Sequence, residues 1–249
     1  SKEMCLEDFR RIFERSEWRP DYLKIYPTLV VEGTAVYDWW HNDEFEPLDN
    51  DGAAELVAEI MSMIPRYTRL QRVQRDIPAD FIEGGVWKSN LRQLASQRMT
   101  ERGWSCEDIR SREVGHSNGV PETVERRVDR YEAAGGTEQF ISYEDFEQDL
   151  LVGFCRLRFP NDPVRRELQD AAVVRELHVY GGQVPVGADA DDDQHQHRGY
   201  GRRLVRAAEE LAAAAGFEKL AILSGIGVRE YYREKLGYRQ DGPYVSKRL

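Results

Sequence analysis

Features that define several common protein classes are missing from this sequence of 249 residues. Its cysteines, Cys5, Cys106 and Cys155, are scattered and odd in number, which excludes a disulfide framework and favours a reducing compartment. No two of them have the spacing of a metal site, so we expect no metal centre in this chain. The apolar runs are short, which indicates neither a membrane span nor a signal peptide. We therefore expect a cytoplasmic protein.

An excess of positive charge is also missing. There are 45 acidic and 35 basic side chains and a net charge of −10, so the bulk charge gives no indication of binding to DNA or other nucleic acids. Residues 66–98 are the exception, with seven basic and three acidic side chains. The candidate RNA contacts in this stretch, with Tyr67 and Trp87 nearby for base stacking, are Arg69, Arg72, Arg75, Lys88 and Arg92. The alternative is an ordinary solvated face with aromatic residues in the core.

The most informative stretch is residues 194–216, a glycine-rich turn that runs into an amphipathic helix closed by Gly216. Such a turn directs free backbone N–H groups and the positive end of the helix dipole at one spot, which suits a phosphate. The turn lacks the Gly-Lys-Ser/Thr of a Walker loop and the first glycine of a dinucleotide fingerprint. Its Q-x-R-G-x-G pattern resembles the pyrophosphate loop of the GNAT acetyltransferases, which bind coenzyme A.

The predicted elements change in character along the chain. Helices at Glu7–Arg15, Asp51–Ile64 and Asn90–Arg102 alternate with strands at Thr28–Val31 and Arg69–Ile77, which favours parallel α/β structure. Strands are then predicted at Val114, Tyr143–Glu147, Leu150–Phe159 and Ala171–Tyr180, and after the glycine-rich turn and its helix come a strand at Lys219–Ser224, a helix at Val228–Lys235 and a strand at Tyr244–Lys247. This second order, an α+β arrangement, is that of the acetyltransferase fold.

Two further stretches fit a coenzyme A site. One is the end of the strand before the glycine-rich turn, whose backbone groups could pair with the pantetheine arm as an added strand does. The other contains the adjacent Tyr231 and Tyr232. The candidate coenzyme-binding residues are Glu176, Leu177, His178, Val179, Gln196, Arg198, Gly199, Tyr200, Gly201, Arg202 and Tyr231.

Four side chains are candidates for catalysis. Tyr231 and Tyr232 could protonate a leaving thiolate, although adjacent helical residues point about 100° apart, so one of them is expected to pack in the core. Glu176 and His178 share one face of a strand and could act as a general base pair. A buried histidine satisfied by its neighbour is the equal alternative.

Several motifs together resemble the catalytic subunit of Elongator, the enzyme that modifies the wobble uridine of tRNA, across nearly the whole chain. They are DYLKIYPTLVVEGT (21–34), RVQRDIP (72–78), SREVGH (111–116), VRELHVYG (174–181), QHRGYG (196–201) and SGIGVREYYREKLGYRQDGPY (224–244). The chain also begins inside a helical pattern, so we expect the C-terminal part of a longer protein.

The resemblance implies that residues 1–97 are the tail of a radical S-adenosylmethionine (SAM) barrel that faces tRNA and that residues 98–249 are a GNAT domain. It implies an acyltransferase that uses acetyl-CoA to modify C5 of the wobble uridine, with a [4Fe–4S] cluster and S-adenosylmethionine in the full-length protein. Their cysteine motif, CxxxxCxxC, is absent from these residues. Implied partners are tRNA and either Elongator-like subunits or a second copy. The alternatives are a non-catalytic module that binds tRNA and coenzyme A, and a protein lysine acetyltransferase.

Overall fold

A computed structural model describes residues 1–116, 119–180 and 199–249. The chain divides into two compact units, Ser1–Ser111 and Arg112–Leu249. The predicted boundary after residue 97 falls inside helix Leu91–Glu101, whose Leu91 and Met99 are buried in the core of the first unit.

The first unit is built from helices around a short parallel strand pair. Its elements are α1 (Lys2–Glu14), β1 (Tyr22–Lys24), α2 (Ala35–His41), α3 (Asn50–Ser62), β2 (Arg69–Arg72), α4 (Leu91–Glu101) and the single turn α5 (Ile109–Arg112), which ends at the boundary. The carboxylate of Asp49 accepts the N–H of Gly52 at 2.7 Å and so begins α3. The apolar face of α3 then packs against α1 and α4 in the core of this unit.

Two strand predictions for the first unit differ from the structure. Within Thr28–Val31 only Val30 forms a β-bridge, with Gly84, so the predicted strand is wrong. The strand predicted over Arg69–Ile77 ends at Arg72 because its partner β1 ends at Lys24. A strand extends only as far as a neighbour satisfies its backbone groups.

The second unit is organised around a seven-stranded sheet. Its elements are β3 (Val124–Ala133), β4 (Gly136–Asp145), β5 (Leu150–Pro160), β6 (Ala171–Val179), α6 (Tyr200–Ala214), β7 (Lys219–Ile222), a π-helical turn (Tyr231–Lys235), β8 (Arg239–Asp241) and β9 (Tyr244–Arg248). The described strands lie in the order β3-β4-β5-β6-β7-β9-β8, and only the β6–β7 pair is parallel.

Helix α6 covers one face of this sheet. Leu204, Val205 and Ala208 are among its buried residues and pack on side chains of β4, β5 and β6. Gly216 ends the helix with φ +89°: its N–H bonds to Ala213, and the N–H of the next residue bonds to Ala212. The predicted helix and its glycine stop are confirmed.

Two strand predictions for the second unit need correction. The strand predicted at Val114 is a 3-10 turn, Val114–His116. The helix predicted over Val228–Lys235 is present: it follows a 3-10 turn, Ile226–Val228, and is π-helical over Tyr231–Lys235. The strand predicted over Tyr143–Glu147 is the end of β4, and β3 was not predicted. The sequence of β3, VERRVDRYEA, is mostly charged because β3 is an edge strand, so it carries little apolar signal.

Candidate functional site

A gap opens in the sheet where β6 and β7 part. The two strands pair from Ala171 with Lys219 to Val174 with Ile222, and the N–H of Leu223 then donates to the carbonyl of Val174 at 2.9 Å. Strand β6 continues to Val179, and among the described residues its later part is paired only on the β5 side. The backbone groups of β6 that face the gap can therefore receive an extended ligand as an added strand.

A β-bulge marks the start of the gap. Glu176 pairs with Arg156 and Val174 pairs with Leu157, so Arg175 is the extra residue on β6. A bulge bends its strand and increases the local twist. The bulge therefore turns residues 176–179 away from the direction of β7. No local sequence pattern indicates this bulge.

The N-terminus of α6 lies against the same part of β6. Gly199 begins the helix in the left-handed region with φ +74°, and the first helical bond is from Arg203 N–H to the Gly199 carbonyl at 3.0 Å. A Cβ placed on Gly201 would lie 3.9 Å from side-chain atoms of Leu177 and Val179. The free N–H groups of the first turn thus lie beside the gap, which suits a phosphate group of a ligand held there.

Tyr200 serves this arrangement through packing. Its side chain is buried and its ring centroid lies 5.2 Å from that of Tyr143 on β4. The guanidinium of Arg203 lies 5.2 Å from both ring centroids. Because its side chain is buried, Tyr200 can contact a coenzyme only through its backbone N–H. The side chain of Arg202, another predicted coenzyme contact, is exposed. Gln196 and Arg198 lie outside the described residues.

The two adjacent tyrosines are separated by burial. Tyr231 is 41% exposed and Tyr232 is 6% exposed, with their rings 5.5 Å apart. Tyr232 packs in the core edge-on to Tyr238, and burial raises the pKa of its phenol to about 12. Tyr231 is the phenol that a ligand can reach.

Glu176 and His178 lie on the sheet face opposite α6. A carboxylate oxygen of Glu176 accepts from Nε of Arg156 at 2.9 Å. Arg156 is buried, and its guanidinium lies over the rings of Phe140 and Phe154 at 5.3 and 5.2 Å. His178 is exposed and its ring is nearly parallel to that of Phe154. His178 is therefore not the buried histidine that the alternative interpretation of the sequence expected.

A cavity of about 530 Å³ approaches the gap from this same face. Val173, Arg175 and Leu223, which bracket the point where the strands part, are among its lining residues. Arg158 also lines the cavity, and both arginines pair with Glu138, at 2.7 Å for Arg158 and 3.0 Å for Arg175. The cavity size suits a small organic ligand or a nucleotide.

The predicted RNA contacts in the first unit differ in burial and in their neighbouring side chains. Arg72 and Arg92 line a polar cavity of about 530 Å³ together with Arg110, which the sequence analysis missed. Arg92 donates to the carbonyl of Leu70 at 2.9 Å and to Asp108 at 3.3 Å, and burial lowers its pKa. Arg92 therefore supports the walls of the cavity, whereas Arg72 is exposed.

The remaining predicted contacts lie next to aromatic rings or are half-buried. Arg75 is exposed and its guanidinium lies 5.7 Å from the ring centroid of Tyr26, in a second cavity of about 570 Å³. The ammonium group of Lys88 lies 5.7 Å from the ring centroid of Trp87, which is 57% exposed. Arg69 is half-buried. Exposed aromatic rings beside cations are the surroundings in which unpaired bases stack.

Two absences apply to the part of the chain that the structure describes. In residues 1–116, 119–180 and 199–249 no group of three or more His, Cys, Asp or Glu could hold a metal ion. Over the same ranges no helix has the length and apolar character needed to cross a membrane.

Family models match both units. The Radical_SAM C-terminal domain matches residues 20–101, and the Acetyltransferase (GNAT) family matches residues 106–238, more than half of the chain. The chain belongs to the GNAT acetyltransferase family, with a radical SAM C-terminal domain before it. The predicted order of a radical SAM barrel tail and a GNAT fold is confirmed.

The similar proteins are more specific than the family. The chain is 45% identical over 255 residues to the tRNA uridine(34) acetyltransferase of Methanocaldococcus jannaschii, covering 99% of this chain and 47% of that protein. It is 44% identical over 256 residues to Elongator complex protein 3 of Saccharomyces cerevisiae, covering 99% and 46%. The solved structure of archaeal Methanocaldococcus infernus Elp3 with an N-terminal deletion matches with a TM-score of 0.93 at 43% identity, covering 100% of this chain and 60% of that one. The predicted resemblance to the Elongator catalytic subunit is confirmed, and the chain spans about half the length of these curated relatives.

Proposed function

We propose that this chain is the acetyl-CoA-binding part of a tRNA uridine(34) acyltransferase, with tRNA as its second ligand. The observation that carries the proposal is the gap between β6 and β7, which begins at the Arg175 bulge and lies beside the first turn of α6. The relatives named tRNA uridine(34) acetyltransferase and Elongator complex protein 3 support the choice of tRNA as acceptor.

The residues present fit acetyl-CoA. The backbone of residues 176–179 would pair with the pantetheine arm, and the N–H groups of Tyr200, Gly201 and Arg202 would hold the pyrophosphate. Gly201 lies beside Leu177 and Val179, which places the start of α6 next to the strand. When bound, acetyl-CoA supplies the acetyl group.

The side chains at the gap have separate tasks in this proposal. Tyr231 donates its phenolic proton to the thiolate that leaves, since it is the exposed member of the tyrosine pair. Arg156 holds Glu176 in one orientation through their hydrogen bond. Glu176 and His178 act together as the general base pair, which takes the proton that the acceptor loses, on the face opposite α6. The cavity lined by Arg158 and Arg175 leads the acceptor to this face.

The tRNA is proposed to contact the first unit through Arg72, which is exposed, and through Arg75 and Lys88, which lie next to aromatic rings. Arg69 and Arg92 are proposed to border these contacts. Elongator-like subunits or a second copy of the chain are the proposed protein partners, and the cytoplasmic location stays a prediction. S-adenosylmethionine and an iron–sulfur cluster are proposed only for a longer protein that contains their ligands.

The test is equilibrium binding of acetyl-CoA and of a tRNA transcript with uridine at the wobble position, followed by release of coenzyme A. We expect the chain to bind both and to release coenzyme A slowly, because the radical half is proposed to reside elsewhere. A chain that binds neither ligand contradicts the proposal. A chain that acetylates a lysine peptide rapidly and ignores tRNA is instead a protein acetyltransferase.

A further inference from the structure

A separate cavity of unit 2 lies at the ends of β7 and β9, beside the edge strand β8. Its volume is about 440 Å³, and its lining residues are Lys219, Gly237, Arg239, Ser246, Lys247 and Arg248. Four of the six carry a positive charge, one carries a hydroxyl, and none is acidic or apolar. This composition is unusual in a chain with a net charge of −10.

The register of the sheet brings three of these cations together. Lys219 on β7 pairs directly with Arg248 on β9, and Arg239 on β8 pairs directly with Ser246 on β9. Side chains of directly opposed residues lie on the same face, with Cβ atoms about 5 Å apart. Strand pairing therefore places Lys219, Arg239 and Arg248 on one face, whereas Lys247 directs its ammonium group to Glu209 of α6 on the other face.

Two of the four cations are not neutralised by neighbouring acids. Lys219 lies 3.4 Å from Asp241 and Lys247 lies 3.0 Å from Glu209. Arg239 and Arg248 are exposed, and the part of the chain that the structure describes offers them no ion-pair partner. The cavity thus presents two guanidinium groups that a ligand can contact.

This cavity is separate from the coenzyme site. Lys219 begins β7, and the gap begins at Leu223, just after the strand ends. Four residues of strand at about 3.3 Å each separate the two places by about 13 Å. A ligand in this cavity therefore does not compete with the proposed pyrophosphate contacts of α6.

We infer that this cavity binds a backbone phosphate of the RNA substrate. Phosphate oxygens in nucleic-acid complexes are commonly contacted by Arg and Lys side chains, and four of these line the cavity. The Ser246 hydroxyl already donates to Asp241 at 2.9 Å, so the arginines are the groups that a phosphate would contact. Guanidinium groups bind phosphate oxygens in a two-pronged geometry. A protein partner would instead need an aromatic or aliphatic anchor, and the lining contains none. The inference rests on the proposed tRNA substrate and adds a contact in the acetyltransferase unit.

The test measures the affinity for an unmodified tRNA transcript as a function of salt concentration. The variant is Arg239→Gln with Arg248→Gln, and the matched control is Arg15→Gln with Arg130→Gln, which removes two exposed arginines elsewhere. We expect the Arg239/Arg248 variant to lose about tenfold in affinity at moderate salt and the salt slope to fall by about 1, because one phosphate contact is lost. The control is expected to keep the wild-type slope. Acetyl-CoA affinity and melting temperature are measured on every variant and are expected to be unchanged.

Each contrary outcome has a distinct meaning. Equal losses in variant and control show a bulk charge effect and overturn the inference. Unchanged tRNA binding in the Arg239/Arg248 variant overturns it while the proposed function stands. Weaker acetyl-CoA binding in that variant assigns the cavity to a coenzyme phosphate and overturns the RNA assignment. Absence of tRNA binding in the wild-type chain overturns the proposed substrate itself.

Discussion

Leu223 donates its backbone N–H to the carbonyl oxygen of Val174 over 2.9 Å, and among the described residues no later bond joins β7 to β6. One residue beyond Val174 the Arg175 bulge bends β6, so the strands part at a defined position. This position defines the candidate functional site, because the gap between β6 and β7, the start of α6 and the cavity on the opposite face meet there.

Gly199→Ala is expected to reduce acetyl-CoA affinity about tenfold, because Gly199 holds φ +74° at the start of α6. A side chain in this conformation costs about 1–2 kcal/mol and displaces the first turn. The matched control is Gly103→Ala, with φ +66° and, as for Gly199, no atom of the described residues within 4 Å of its Cβ position. Calorimetric titration and denaturant unfolding should show similar destabilisation in both variants and lost affinity only at Gly199. Equal affinity in both variants contradicts the α6 assignment.

Tyr231→Phe is expected to slow coenzyme A release about 100-fold without changing the stability, because its exposed phenol is the proposed proton donor. Tyr232→Phe removes a hydroxyl of the same kind from the core and serves as the control for the rate. A steady-state assay of coenzyme A release checks both. A larger effect on the rate at Tyr232 than at Tyr231 would reverse the assignment.

Tyr232 also predicts a pH dependence of stability. Burial raises its pKa to about 12 in the folded chain, whereas an unfolded tyrosine titrates near pH 10. The unfolded state loses its proton first, so this contribution is complete below about pH 10 and is lost as the pH rises to about 12. The free energy of unfolding is measured by denaturant at pH 9 and at pH 12. Its decrease between these pH values should be smaller in Tyr232→Phe than in the wild-type chain, by on the order of 2 kcal/mol. Identical decreases would contradict the burial of the phenol.

Glu138→Gln is expected to destabilise the chain by about 3 kcal/mol, because it leaves Arg158 and Arg175 without their shared carboxylate. Glu138 is 2% exposed. The matched control is Glu210→Gln, since Glu210 also bonds two arginines, Arg126 and Arg206, but is exposed. An exposed pair of this kind contributes about 0–1 kcal/mol. Equal destabilisation of the two variants in denaturant unfolding would show that burial does not set the cost.

Arg72→Gln and Arg92→Gln are expected to separate RNA contact from support. Arg72 is exposed, so its variant should bind tRNA more weakly at unchanged stability, with a salt slope lower by about 1. Arg92 donates to Leu70 and Asp108, so its variant should unfold more easily. Filter binding and thermal melting check the two effects. A stability loss at Arg72 with none at Arg92 contradicts the assignment.

Local patterns in the sequence were sufficient to predict the elements that are proposed to bind the coenzyme. The amphipathic repeat of α6 and the glycine that ends it predicted the helix, and the apolar run of β6 predicted the strand. The Arg175 bulge and the pairing of Glu176 with Arg156 depend on the register between β5 and β6, which no local pattern encodes. The supporting role of Arg92 could not be predicted from the sequence either, because its partner Asp108 is distant in sequence and fully buried.

The most direct test of the coenzyme site is hydrogen–deuterium exchange of this chain with and without acetyl-CoA. The account predicts that saturating acetyl-CoA slows exchange at residues 176–179 and at the first turn of α6, Tyr200–Arg202, because bound coenzyme would accept these N–H groups. Binding of acetyl-CoA without protection of either segment would contradict the claim that the gap between β6 and β7 holds the coenzyme.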